Sequence, residues 1–396
     1  MTTAIVIGGG IAGCSTAYAL AQRGVSVTLI ERHTQLAAEA SGNLLASLYP
    51  KLGLNRSLAN ALTLQGFAFT QQLLKSLPTS SPIFDICGQI QLGFNAREQA
   101  KQVELANLYQ LPLLNAEQAS KVAGIALNTG GLYLEQAGWV KPAALCEALC
   151  GEPNIAIHYN NEALRIQQSI NQWRVLDSKN NIFEADIVVI CNANDITQFK
   201  QIKSAEITPV RGQINAFKQT AESAQLKTLI CSDHYLSPAV DGWHVIGTTY
   251  APNDMNASIS DADTRENLNA LRTMSADIYQ NINVQAMQGR VAWRSQTRDY
   301  MPLAGQLVHE EQLRAKPPRY NANPADLPWL EGLFVNAGHG SKGMTTAPIC
   351  AELIANLATK NTPHINPELA SKLNPSRFLL RELGLKQLAN RLYKID

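Results

Sequence analysis

Ala4-Ile5-Val6-Ile7-Gly8-Gly9-Gly10-Ile11-Ala12-Gly13, close to the start of a 396-residue chain, is the stretch that decides the fold. An apolar, largely β-branched run ending on glycine has the pattern of a strand buried on both faces. Ile11 to Gln22 then reads as an alanine-rich helix, and Val25 to Ile30 as a second strand. Strand, glycine turn, helix and strand within about thirty residues make a βαβ unit and imply a parallel sheet. In Gly8-x-Gly10-x-x-Gly13 the first glycine permits the tight turn and the second lets backbone approach a pyrophosphate. The third lets helix and strand pack closely, and the helix N-terminus supplies free N–H groups for the anion. Glu31 ends the second strand 18 residues after Gly13, where a carboxylate accepts hydrogen bonds from a ribose. The bland alternative is a glycine-rich turn in an unrelated α/β sheet.

A second strand–glycine turn–helix lies near the other end, in Phe334-Val-Asn-Ala-Gly338-His-Gly340-Ser-Lys-Gly343-Met344. A helix N-terminus there would favour negative charge on the pyrimidine side of a reduced flavin. A simple NAD dehydrogenase has no need of this second device, so the pair points to FAD. Between them, the periodicity predicts helices over 56–77, 96–108 and 141–149, the last with Pro142 in its first turn. Strands are expected at 89–94, 155–159, 163–168, 172–176 and 186–190. From Ile207 to about Leu330 the pattern is mostly strands, with a helix near 261–279 and a hairpin turning at Asp241-Gly242. Residues 316–328 read as an exposed loop.

The fold class expected is therefore α/β (α+β overall). A Rossmann-like FAD-binding domain with a parallel sheet joins a substrate domain built on a mainly antiparallel mixed sheet. The FAD-binding domain is assigned to 1–80, 131–204 and 331–374, and the substrate domain to 81–130 and 205–330. Residues 375–396 form a basic tail.

The formal net charge is +1, so bulk charge points to no partner, but from Lys372 onward six basic residues face two acidic ones. Seven scattered cysteines contain no CxxC pair, and Cys146 and Cys150 lack further soft ligands nearby, so buried reduced thiols are expected and no metal. Met1 to Gln22 carries no charged side chain, but it lacks a basic n-region and glycines interrupt it, which argues against an export signal. No spanning segment is expected, and the protein reads as soluble and cytoplasmic.

Val6 to Glu31, Pro209-Val-Arg-Gly-Gln213, the 294–302 segment and Gly338-His-Gly-Ser-Lys-Gly343 together resemble the D-amino-acid oxidase/glycine oxidase superfamily. Ala40-Ser-Gly-Asn43 with Leu48-Tyr-Pro50, Thr297-Arg-Asp299 before Met301-Pro302, and Asn374-Pro-Ser-Arg377 are narrower. They resemble the FAD-dependent oxidoreductase domain of the MnmC family, bifunctional proteins that modify the wobble uridine of tRNA. That family usually carries a methyltransferase domain ahead of this one. Here the chain begins at the FAD strand, so methyl transfer is not expected of it; a separate or fused S-adenosylmethionine-dependent methyltransferase would be a partner. Leu44-Leu-Ala46-Ser47 also departs from the family's glycine-containing form.

The resemblance implies oxidation of a carboxymethylaminomethyl group on the wobble uridine (or 2-thiouridine) to aminomethyl, with release of glyoxylate. It places FAD contacts at Gly8, Gly10, Ile11, Ala12, Gly13, Glu31, Arg32, Ser41, Gly42, Asn43, Ala46 and Ala163. The second turn adds Gly338, His339, Gly340, Ser341, Lys342, Gly343 and Met344. Arg294 matches a carboxylate clamp, the alternative being a surface arginine, and Arg290 on the same face is weaker. Tyr235 is substrate-facing or a core tyrosine, with His234 beside it. Lys342 is open between substrate carboxylate, flavin, oxygen chemistry and a plain backbone role. His339 is expected to serve the turn, and Arg211 to be structural or flavin-adjacent. Arg377, Arg381 and Lys386 offer phosphate contacts to tRNA, against the reading of a solvated amphipathic helix. The rival functions are a free glycine, sarcosine or D-amino-acid oxidase and a non-catalytic FAD-holding, tRNA-binding protein.

Overall fold

The structure is a computed structural model describing residues 1–170 and 172–393. Its first sheet has six strands, ordered Leu303–Val308, Trp329–Ala337, Ile187–Ile190, Thr3–Ile7, Ser26–Ile30 and Ile155–His158. All neighbours are parallel except the edge strand Leu303–Val308, which runs antiparallel to Trp329–Ala337. Thr3–Ile7 is central because its side chains are apolar on both faces: Ala4 to Ile7 are all buried. The glycine helix Ile11–Ala21 covers one face and packs against the late helix Gly343–Ala358. The two glycine-led helices are thus neighbours, although more than 300 residues separate them.

The second sheet has nine strands. Its spine is the long strand Ile207–Lys218, paired along its length with Gln288–Thr297 and partly with Trp243–Gly247. Pairing is antiparallel except where Leu229–Cys231 runs parallel to Gln89–Leu92. Asp241 and Gly242 both take positive φ, 52° and 80°, as the expected hairpin turn requires. Two three-stranded sheets complete the molecule, one of 163–168, 173–177 and 182–185, the other of 46–48, 138–140 and 84–85.

The mixed α/β architecture agrees with the fold class read from the sequence, but two strands lie elsewhere than the domain division put them. Gly131–Leu134 pairs with Gln89–Leu92 in the second sheet, not the first. Leu303–Val308 joins the first sheet, because its apolar side chains fill the core around Leu333 and Val335. The helix expected over 261–279 is broken: Asp261–Met274 ends at Ser275, whose side chain caps a second helix, Ala276–Asn281.

The C-terminal residues are no solvated tail. Arg377–Glu382 and Lys386–Ala389 are short helices whose Leu379, Leu380 and Leu388, with Leu392 just beyond, form a cluster with Val308, Leu313 and Leu327. Lys394 lies outside the described residues. Among the described residues no helix is long and apolar enough to cross a membrane.

Candidate flavin and substrate site

Two adjoining cavities run from the first glycine turn into the second sheet. The smaller, about 100 Å³, is lined by Gly8, Gly10, Glu31, Arg32, Ser41, Asn161, Ala163 and Asn192, among others. The larger, about 680 Å³, continues past Gly10, Ile11, Ala12, Asn43 and Ala46 to Gly338, His339, Gly340, Ser341, Gly343 and Met344. Both share Gly10, Ala40, Ser41, Cys191 and Ala193.

The first turn fits a pyrophosphate. A Cβ on Gly13 would stand 1.8 Å from the Gly8 carbonyl oxygen, so only glycine lets helix and strand meet. The helix begins with neither a side-chain cap nor an acidic residue, leaving its positive end for an outside anion. Ser41 Oγ accepts from the Ile11 N–H at 3.0 Å and so pins the following loop to the helix start. Glu31 is buried; its carboxylate accepts from the N–H groups of Gly9 at 2.6 Å and His33 at 2.7 Å, fixing its outward lone pairs. Arg32 turns aside to Glu39 and Asp195. In the smaller cavity Asn161 Oδ1 and Asn192 Oδ1 are buried without a hydrogen-bond partner. Such orphans are costly unless a ligand satisfies them, and an adenosine is the ligand this position suits.

The loop after the second strand is tied to the substrate sheet. Arg290 donates to Asn43 Oδ1 at 2.8 Å and to the Ala38 carbonyl at 3.0 Å, and lies where a Cβ on Gly42 would fall. Arg290 is thus a tether to the flavin loop rather than a second carboxylate clamp. Ala46, the departure from the family pattern, pairs with Val140 and lines the larger cavity. Tyr235 donates to the Leu45 carbonyl at 3.0 Å, so this wall residue holds the same loop. Burial raises its pKa and keeps the phenol protonated.

At the second turn Gly338 and Gly340 have φ of 72° and 57°. His339 sits between Thr346 Oγ1 at 2.9 Å and Asn336 Oδ1 at 3.0 Å, and burial lowers its pKa to about 3. Neutral near pH 7, it serves the turn. Gly343 starts the helix against Ile11, where a Cβ would meet Ile11 Cγ2 at 3.4 Å. Lys342 is the N-cap residue; burial first, and then the charge of Lys51, lower its pKa. Met344 is buried and its carbonyl accepts from Thr70.

Arg294 reaches the same cavity from the long strand Gln288–Thr297. Its guanidinium donates to Thr248 Oγ1 at 2.8 Å and, at 3.4 Å, to the Thr249 carbonyl. It lies over Gly212, where a Cβ would stand 2.5 Å from Nη1. Burial lowers its pKa, yet no carboxylate pairs with it among the described residues. A largely buried guanidinium without a counter-charge is a site for a ligand carboxylate. Gly212, Thr248, Thr249 and Tyr250, which complete this corner, were not singled out from sequence; only the Pro209–Gln213 motif hinted at Gly212.

Arg211 is structural, holding the Asn256 and Ser258 carbonyls and pairing with Asp263. Arg377 is withdrawn from any role with tRNA: it is fully buried, pairs with Asp299, and donates to backbone carbonyls. Arg381 is spent on Asp299 as well, at 2.9 Å. Lys386 remains exposed. These positions looked like one basic stripe because helical spacing does not tell which face is covered. No cluster able to hold a metal occurs among the described residues.

Residues 3–357 match the family model described as FAD dependent oxidoreductase (DAO). A protein of Methylobacillus flagellatus, the "tRNA 5-methylaminomethyl-2-thiouridine biosynthesis bifunctional protein MnmC", is 42% identical over 394 residues, covering 98% of this chain and 61% of that protein. Its namesake in Pseudomonas savastanoi pv. phaseolicola is 39% identical, over 96% and 59%. The chain therefore spans about three fifths of the length of the curated relatives it matches. Among solved structures, glycine oxidase from Geobacillus kaustophilus superposes with a TM-score of 0.79 at 20% identity, covering 95% of this chain and 99% of that one. Glycine oxidase from Bacillus cereus gives 0.76 at 21% identity, over 92% and 97%. At such identities the likeness is one of fold.

Proposed function

The chain belongs to the FAD-dependent oxidoreductase (DAO) family, and from that premise we propose that it oxidises the carboxymethylaminomethyl arm of the tRNA wobble uridine. The products would be aminomethyluridine, on a plain or 2-thiolated base, and glyoxylate. The named relatives support the substrate, and the unpaired Arg294 in the flavin cavity is the observation that carries the chemistry.

FAD, when bound, supplies a two-electron acceptor for the C–H bond of the glycyl methylene. The first turn with Glu31, Asn161 and Asn192 would hold its adenosine and pyrophosphate, and the second turn its ring end. The arm is a glycine joined through nitrogen to the base, so it brings one carboxylate. Arg294 accepts that carboxylate as a bidentate partner and fixes the methylene's distance from the cavity wall. Thr248, Thr249 and the bare backbone of Gly212 hold the guanidinium still. The secondary amine reacts as the neutral base. Its lone pair forms the C=N bond as hydride leaves the methylene, so no side-chain base is needed, consistent with His339 locked and neutral. Water then adds to the imine, and the C–N bond on the glycyl side breaks to give glyoxylate and the free amine on the uridine. A methyltransferase, fused or separate, would act on that amine. A tRNA substrate places the reaction in the cytoplasm.

Anaerobic mixing of the FAD-loaded protein with carboxymethylaminomethyl-tRNA tests this. Bleaching of the yellow absorbance, with aminomethyluridine found by mass spectrometry of the nucleosides, is the expected result. Bleaching by free glycine or sarcosine but not by tRNA would favour a small-amine oxidase. Tight tRNA binding without bleaching would favour the non-catalytic reading.

A further inference from the structure

Tyr250 has an unusual position for an aromatic residue: it lines the larger cavity, yet 52% of its surface is exposed. Other exposed tyrosines, Tyr300 and Tyr320, lie away from the cavity lining. The ring is not loose. Its hydroxyl accepts from Gln296 Nε2 at 2.8 Å, and Gln296 bridges to His339 in the second glycine turn. The Arg294 guanidinium carbon stands 6.0 Å from the ring centroid. A flat apolar face is thus oriented and left open to solvent beside the carboxylate clamp.

We propose that the exposed ring of Tyr250 is the platform on which the target nucleobase stacks as its arm enters the cavity; this rests on the tRNA reading above. Any base offers a π-face, and enzymes that act on a base first take it out of its stack. The arm's length agrees. From uracil C5 through methylene, nitrogen and methylene to the carboxylate carbon is about 5 Å, four bonds of roughly 1.5 Å with tetrahedral angles. A base against Tyr250 therefore brings its carboxylate within reach of Arg294. The lining carries charges of both signs, Glu98 and Asp233 beside its lysines. Lys51 and Lys101 line the same cavity, and Lys51 is close enough to lower the pKa of Lys342. Neither Lys51 nor Lys342 enters an ion pair among the described residues, whereas Lys101 has Glu98 at 3.4 Å. Lys51, exposed and without an ion pair, offers one contact to a backbone phosphate. A free amino acid would use Arg294 but leave the platform and Lys51 idle.

Tyr250→Ala and Tyr250→Phe in the FAD-loaded protein separate the readings, with flavin bleaching by carboxymethylaminomethyl-tRNA as the readout. Loss of the ring should lower kcat/KM by about 10- to 100-fold, mainly through KM, as base–aromatic stacks do on alanine substitution. Tyr250→Phe keeps the face but frees it from Gln296, and its kcat/KM should fall far less than that of Tyr250→Ala. The flavin spectrum of each purified variant checks folding, which a half-exposed side chain should not disturb. Wild-type kcat/KM in Tyr250→Ala would overturn the platform, and so would an equal fall in both variants, which would assign the effect to the hydroxyl. A wild-type flavin unmoved by tRNA would instead overturn the tRNA reading itself.

Discussion

Arg294 and Gly212 meet diagonally across two paired strands: the register partner of Arg294 is Val210, yet a Cβ on Gly212 would lie 2.5 Å from Nη1 and 2.7 Å from Nη2 of the guanidinium. The fork lies flat on bare backbone, which is how a cation can be both largely buried and open to a ligand. Gly212→Ala should therefore move the end of a flexible side chain rather than the sheet. Stability should change little, while the clamp is displaced by the order of an ångström. Such a shift can cost about 100-fold in rate. Single-turnover flavin reduction checks this against thermal denaturation of the same sample. Intact reduction in the alanine variant would mean the fork is not where the carboxylate binds.

Removing the fork itself is a harsher change with a different signature. Arg294→Ala should retain FAD, because Arg294 touches none of the glycine turns, yet lose substrate by several kcal/mol as a carboxylate enters without its partner. Arg294→Lys should recover only part of this, since an ammonium cannot span both carboxylate oxygens or reach Thr248 and Thr249 as the fork does. The measurement is kcat/KM with the tRNA substrate alongside the flavin content. An unchanged kcat/KM in Arg294→Ala would remove the residue from the mechanism.

The residues that the sequence made legible are those whose chemistry is local. Gly8, Gly10, Gly13 and Glu31 carry their meaning in spacing along one βαβ unit, and the first sheet forms around them as expected. Arg294 was legible as a cation on a strand next to a family motif. Thr248 and Tyr250 were not, since each acquires a role only through a partner 46 residues away in sequence, and Asn161 only through the cavity it shares with the first glycine turn. The tail shows the converse error. Arg377 and Arg381 carry surface-like charge at helical spacing, but Asp299, 78 residues before Arg377, draws both inward. Charge pattern reports solvent exposure only when no distant carboxylate competes for it. The strand Leu303–Val308 was misplaced for a related reason: sheet membership follows from the apolar partners it meets, and these lie on Trp329–Ala337.

That clasp gives a stability prediction with a definite sign. Asp299 accepts from Arg377 Nε at 3.0 Å and Nη2 at 2.8 Å, and from Arg381 Nη1 at 2.9 Å. Burial alone would raise its pKa; the hydrogen bonds and charge of Arg377, helped by Arg381, outweigh burial and lower it to about 2. A carboxyl whose folded pKa lies below its unfolded value of about 3.9 contributes stability that is full above that value. The contribution, about 2–3 kcal/mol for a shift of roughly 2 units, disappears as pH falls from about 4 through 2. Asp299→Asn should cost more at neutral pH, about 3–5 kcal/mol, because the fully buried Arg377 loses its counter-charge. Thermal denaturation should show a large gap in Tm between wild type and variant at pH 7, narrowing as the pH is taken below 4. Coincident Tm values at pH 7 would mean that the arginine pair does not hold the C-terminal helices to the Thr297–Met301 turn.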